Sequence, residues 1–220
     1  MHPWSPAVHG LLRHLESVGF PYSPRVLGVD EQGREILTYL HGASGPDAWA
    51  RVVDTSGLVA MARLLREYHE AVRGYGDVGP GQVVCHGDFG PWNLVWDGLR
   101  PIGILDWDYA WAQPPMHDVA YALEFVAPFR DDEECMRWLR YPSPPDRRRR
   151  LALFASAYGL TSTDGLVDEV IAQQRLVLDR TLRLAAEGLE PQRTWQAKGL
   201  LDANAERIRW SERNRHLFGL

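Results

Sequence analysis

The chain has 220 residues, 45% of them hydrophobic, enough for one domain with a sizeable core. Its formal net charge of −5 argues against nucleic acid as a partner and is compatible with a cationic small molecule. The two cysteines, Cys85 and Cys135, form no disulfide framework, the N-terminus has no signal-peptide pattern, and no apolar run approaches the roughly 20 residues of a membrane span, so a soluble, cytoplasmic protein is expected.

Ser5-Pro6 reads as a helix start, with Ser5 as N-cap and Pro6 at the first helical position. Ala7, Val8, Leu11, Leu12, Leu15 and Val18 then share one helical face, and Gly19 closes the helix. Residues 25–29 (RVLGV) and 35–40 (EILTYL) read as two strands of a hairpin. The segment 41–46 (HGASGP) reads as a linker and marks the expected domain boundary. A long helix is expected over 57–73, where Leu58, Met61, Leu65 and Tyr68 recur at helical spacing. The stretch 83–108, VVCHGDFGPWNLVWDGLRPIGILDWD, reads as a buried strand, a polar loop, and a hairpin of 94–96 with 102–105 around Asp97-Gly98. Helices are expected over 117–126, 146–158, 164–187 and 192–216, with a proline elbow at 142–145. The arginine run 147–150 is expected to be a solvated helix start rather than a nucleic-acid patch, and the acidic run 131–134 a helix N-terminus explained by the dipole, with attraction of an amine-bearing substrate as the alternative.

The chemistry concentrates in 83–108. A hairpin centred on Leu99/Arg100 would set Asn93 and Asp106 side by side, with Cβ atoms about 5 Å apart. Asp88 stands five residues upstream, in the loop that feeds the hairpin. Two carboxylates and a carboxamide at one sheet end suit an oxygen-liganded Mg²⁺ beside a general base. A protein-kinase catalytic loop has the same parts: an Asp that takes the substrate hydroxyl proton, an Asn five residues on, and an Asp at a strand end. Against this stand plainer readings: Asp88 and Asn93 as turn residues, Asp106 as a strand end, and Asp108 as a solvated charge or as a substrate or second metal contact. Trp107 and Trp111 flank the metal end and could wall a pocket. Cys85 and His86 have no second pair at zinc-ligand spacing, and no G-x-S-x-G elbow supports a hydrolase.

These residues resemble the aminoglycoside phosphotransferase family, kinase-like small-molecule phosphotransferases that include relatives acting on choline and other small alcohols. The resemblance rests on CHGDFGPWNLVWDG, IGILDWDYA and PPMHDVAYAL. It implies an α+β, protein-kinase-like fold with a reduced N-terminal lobe (1–41) and a mainly helical C-terminal lobe (42–220). It implies Asp88 as catalytic base, Asn93 and Asp106 as Mg²⁺ ligands, His86 as a loop brace and Asp118 as a structural carboxylate. It implies that the hinge backbone at Thr38, Tyr39 and Leu40 holds the base of ATP or GTP. The implied partner is a small-molecule hydroxyl acceptor, an aminoglycoside or amino alcohol, with neither nucleic acid nor membrane involved. One departure stands out: the only lysine is Lys198, so nothing matches the family's N-lobe phosphate-binding lysine. The alternatives are a kinase-like binding protein with impaired catalysis, or a homodimer in which a second chain supplies the missing lid.

Overall fold

The computed structural model describes residues 3–219. Helix α1 (Ser5–Ser17) buries Val8, Leu11, Leu12 and Leu15. It starts one residue earlier than expected, because the Trp4 carbonyl already accepts the amides of Ala7 and Val8, so Ser5 lies inside the helix rather than capping it. Gly19, at φ +76°, closes it, with the Phe20 amide returning to the Leu15 carbonyl at 2.9 Å.

Strands β1 (Val26–Val29) and β2 (Glu35–Leu37) form an antiparallel two-stranded sheet, with Val29 opposite Glu35. The second strand is shorter than its sequence pattern. Pairing ends where Thr38 meets Arg25, since Pro24 before it has no N–H with which to continue the ladder. The linker does not float free. Ala43 exchanges two backbone hydrogen bonds with Trp96, at 3.0 and 2.8 Å. The close approach requires glycine at 42, where a Cβ would stand 2.5 Å from Val95 Cγ1.

Helix α2 (Trp49–Val53), absent from the sequence reading, precedes α3 (Thr55–Ala71), whose start is capped by Asp54 accepting from the Ser56 amide. Leu58, Met61, Leu65 and Tyr68 face inward, as their spacing predicts. Then come β3 (Val83–Cys85), β4 (Leu94–Asp97), β5 (Arg100–Ile104) and β6 (Trp111–Gln113). β4 pairs with β5, and β3 pairs antiparallel with β6.

The rest is helical: α4 (Met116–Val126), α5 (Asp132–Trp138), α6 (Arg147–Tyr158), α7 (Leu166–Ala186), α8 (Gln192–Ala197) and α9 (Leu200–Arg213). The last predicted helix is two, broken at Gly199 with φ +72°. One hydrophobic cluster joins α1, α3, the β4–β5 hairpin, α4, α6 and α7 through residues such as Leu15, Leu65, Ile104, Leu123, Phe154 and Ile171.

The arginine run is not a solvated helix start. Arg148 and Arg149 are exposed, but Arg147 and Arg150 are only 4% and 6% exposed. Arg150 donates to the carbonyls of Val126, Val52 and Val53, which end α4 and α2. Arg147 donates to the carbonyls of Pro128 and Arg130. Guanidinium donors thus satisfy helix-end carbonyls that would otherwise be buried without partners.

Candidate active site

The loop between β3 and β4 is held from below by Asp118, in the first turn of α4. Its fully buried carboxylate accepts the amides of His86 and Gly87 at 2.7 and 2.8 Å, and His69 Nε2 at 3.0 Å. Burial opposes its ionisation, but the His69 hydrogen bond and charge outweigh that and hold the carboxyl below its ordinary range. At Gly87, φ is +81° and a Cβ would stand 2.2 Å from the Tyr109 carbonyl oxygen, so the turn into Asp88 admits only glycine. His86 reaches the other way: its Nε2 donates to the Leu105 carbonyl at 2.9 Å, and its Nδ1 accepts the Asp88 amide at 3.3 Å. It braces the loop against the end of β5.

Asp88 is held at both oxygens. Tyr121 of α4 donates its hydroxyl to Oδ1, and Asn93 donates Nδ2 to Oδ2 at 2.9 Å. Burial pushes the Asp88 pKa up. The hydrogen bonds from Tyr121 and Asn93 and the nearby His86 counter it, while the Asp106 charge adds to the rise.

The β4–β5 register departs from the expected one. The tight turn at Gly98-Leu99 pairs Asp97 with Arg100, a bulge follows Pro101, and Leu94 then faces Ile104. Asn93 therefore sits opposite Leu105, whose amide donates to its carbonyl at 2.8 Å, and not opposite Asp106. Asp106 comes one step later, in the left-handed region (φ 58°, ψ 68°), a conformation that costs energy for a non-glycine residue. It lines a cavity of about 540 Å³ together with Asp88. Asn93 faces an adjoining cleft with Trp49, Trp92 and Phe125.

Of the other expected site residues, Asp108 is exposed and lines the cavity. Thr38, Tyr39 and Leu40 do not line it: the Thr38 amide bonds the Arg25 carbonyl, Tyr39 is 75% exposed, and Leu40 packs over Gly103. Trp111 does form cavity wall, but Trp107 does not. Trp107 is buried, donates Nε1–H to the Ile104 carbonyl and packs on His86. The acidic run caps α5, with Asp131 accepting the Glu134 amide, and lies away from this cavity.

Sequence reasoning missed Tyr121, Arg180 and Gln192. Tyr121 follows Asp118 by three positions on one helix, which put it on the loop-facing side. Arg180 interrupts the apolar face formed by Leu176, Val177 and Leu184 of α7, and a cation on an apolar stripe was the available signal.

The donor set suits a hard cation. Both polar contacts of the Asn93 carboxamide are made by Nδ2, to Asp88, which leaves Oδ1 as an acceptor. Asp106 offers a carboxylate with no hydrogen-bond partner among the described residues. By contrast, His69, Cys85 and Asp118 lie close enough to share an ion, but their ligand atoms are engaged with each other and with neighbouring groups, and burial keeps the Cys85 thiol protonated.

Residues 77–154 match the model of the phosphotransferase enzyme family. The trifolitoxin immunity protein of Rhizobium leguminosarum bv. trifolii is 32% identical over 188 residues, covering 77% of this chain and 70% of that protein. Among solved structures, a choline/ethanolamine kinase family protein from Mesorhizobium loti superposes with TM-score 0.59 at 17% identity, over 94% of this chain and 81% of that one. The GDP complex of aminoglycoside 2'-phosphotransferase-IIIa gives 0.58 at 12% identity, over 94% and 82%. At such identities the structures speak for the fold, and the closer relative and the family model speak for descent. The chain belongs to the phosphotransferase enzyme family and carries its kinase-like α+β fold with a reduced N-terminal lobe.

Proposed function

We propose that the protein transfers the γ-phosphoryl group of a Mg²⁺-bound nucleoside triphosphate to a hydroxyl of a small molecule. The observation that carries this is the Asp88 carboxylate, fixed through both oxygens and facing a cavity that also holds Asp106. Asp88 accepts the acceptor's hydroxyl proton; the Tyr121 and Asn93 donors orient it and counter part of the rise in its pKa that burial imposes. Asn93 Oδ1 and the Asp106 carboxylate are the residues that would hold Mg²⁺, which when bound neutralises phosphate charge. Asp108 lines the same cavity, where it can contact the acceptor or a second metal ion. The base of ATP or GTP is assigned to the hinge. With the Thr38 amide engaged by Arg25, the backbone of Tyr39 and Leu40 remains for it. This divides the chain into a base-holding part, 1–41, and a catalytic part, 42–220, working in the cytoplasm where the donor is made. Among the described residues no helix is long and apolar enough to cross a membrane.

One observation favours a second reading, a kinase-like binding protein that does not clamp nucleotide. Lys198 is exposed between α8 and α9 and does not line the cavity, so no lysine stands ready to grip the phosphates. Nucleotide binding separates the two. Thermal unfolding with MgADP, MgATP and MgGTP should show an upward shift that Asp106→Ala and Asn93→Ala abolish. No shift with any of them would sink the transfer proposal.

A further inference from the structure

The cavity carries charges of both signs. The carboxylates of Asp88, Asp106 and Asp108 line it from the loops around the hairpin, and Arg180 lines it from α7. Its guanidinium lies 5.2 Å from the Tyr109 ring centre and 4.9 Å from that of Trp111. Tyr109 feels the charges of Asp88 and Asp106 as well as that of Arg180. A guanidinium held over aromatic faces keeps the N–H donors on its edge available to an oxyanion. Among the described residues Arg180 has no carboxylate in ion-pair range and no hydrogen-bond acceptor. The Trp111 indole N–H beside it is buried and also lacks an acceptor. Arg180 is half-buried: burial lowers its pKa, the Tyr109 hydroxyl counters that in part, and the Arg183 charge on the next turn lowers it further. Burial lowers the pKa of His117, which shares the wall. Much of the rest of the lining is apolar or aromatic: Trp92, Leu176, Leu184 and Trp195.

We infer that the acceptor is a hydroxyl-bearing molecule with an apolar or aromatic body and an anionic group, carboxylate or phosphate, read by Arg180; it is not a polycation. The inference rests on the proposed transfer only in taking Asp88 as the contact of the reacting hydroxyl. A bidentate Arg–oxyanion pair fits the guanidinium edge. A cationic ring system would instead meet an unpaired arginine, with a repulsive cost.

The test is a calorimetric titration of the full chain, without nucleotide, with matched probes: para-(hydroxymethyl)benzoate and para-(hydroxymethyl)benzylamine. The benzoate should bind about tenfold more tightly than the amine. Arg180→Gln should erase that preference, and Arg180→Lys should keep part of it, which separates charge reading from loss of packing. MgADP affinity should be the same in wild type and Arg180→Gln. Equal or tighter binding of the amine, or no binding of the benzoate, would overturn the inference. So would a drop in MgADP affinity in Arg180→Gln with the benzoate preference intact, because Arg180 would then serve the nucleotide's phosphates. Loss of phosphoryl transfer with the benzoate preference retained would count against the proposed function alone.

Discussion

The catalytic loop and the α7–α8 wall of the same cavity are built on opposite plans. In the loop, nearly every polar atom is engaged: Asp118 ties down two backbone amides, His86 ties the loop to β5, and Asp88 is held at both oxygens. On the α7 wall, Arg180 is held by aromatic faces while its donors stay unpaired. The difference teaches where each kind of information sits. Chemistry that must be placed to a fraction of an ångström is anchored to backbone, whereas recognition of a variable partner is left to side chains with unfilled hydrogen-bonding capacity.

Breaking the loop's anchor should have the largest effect on stability. Asp118→Ala would leave two buried amides and His69 without their acceptor. A loss of roughly 3–5 kcal/mol is expected in urea unfolding, on the scale of a broken buried charge network. A loss below about 1 kcal/mol would show that the loop does not depend on this carboxylate. Arg150→Ala should follow, at about 2–3 kcal/mol, by stripping donors from the carbonyl ends of α2 and α4; thermal unfolding reads it directly.

The two buried carboxylates should also respond to pH in opposite senses. Asp118 has its folded pKa lowered, so its stabilisation is present above the unfolded value near 3.8 and is lost as pH falls through the folded value. Asp88 has its folded pKa raised, so its ionisation costs stability above that folded value and the cost vanishes as pH falls to 3.8. Asp88→Asn should therefore raise the melting temperature slightly at neutral pH and lose that advantage near pH 4, whereas Asp118→Asn should lower it at neutral pH and converge on wild type in acid. A destabilised Asp88→Asn protein at neutral pH would contradict the assignment of a burial cost to the base.

Much of the loop was legible because its parts are close in sequence. Asp88, Asn93 and Asp106 fall within one hairpin and its lead-in, and helical periodicity located α1, α3, α4 and α7. What escaped depends on distant partners. β6 is three half-buried residues defined only by pairing with β3, with Val83 opposite Gln113 and Cys85 opposite Trp111. α2 is a five-residue helix, too short for a period to show. The hairpin register turned on the tight Gly98-Leu99 turn and on Pro101, which cannot donate to the ladder. Arg150 reads as surface until the carbonyl ends of two other helices are seen beside it. Tyr121 and Arg180 became site residues only once α4 and α7 enclosed the same cavity.

The most direct test of the central claim is transfer of the γ-phosphoryl of MgATP, to an acceptor or to water, by wild type and by Asp88→Asn under single-turnover conditions. The account predicts a fall of roughly 10²–10⁴ in rate with MgADP affinity unchanged. Undiminished transfer by Asp88→Asn would contradict it.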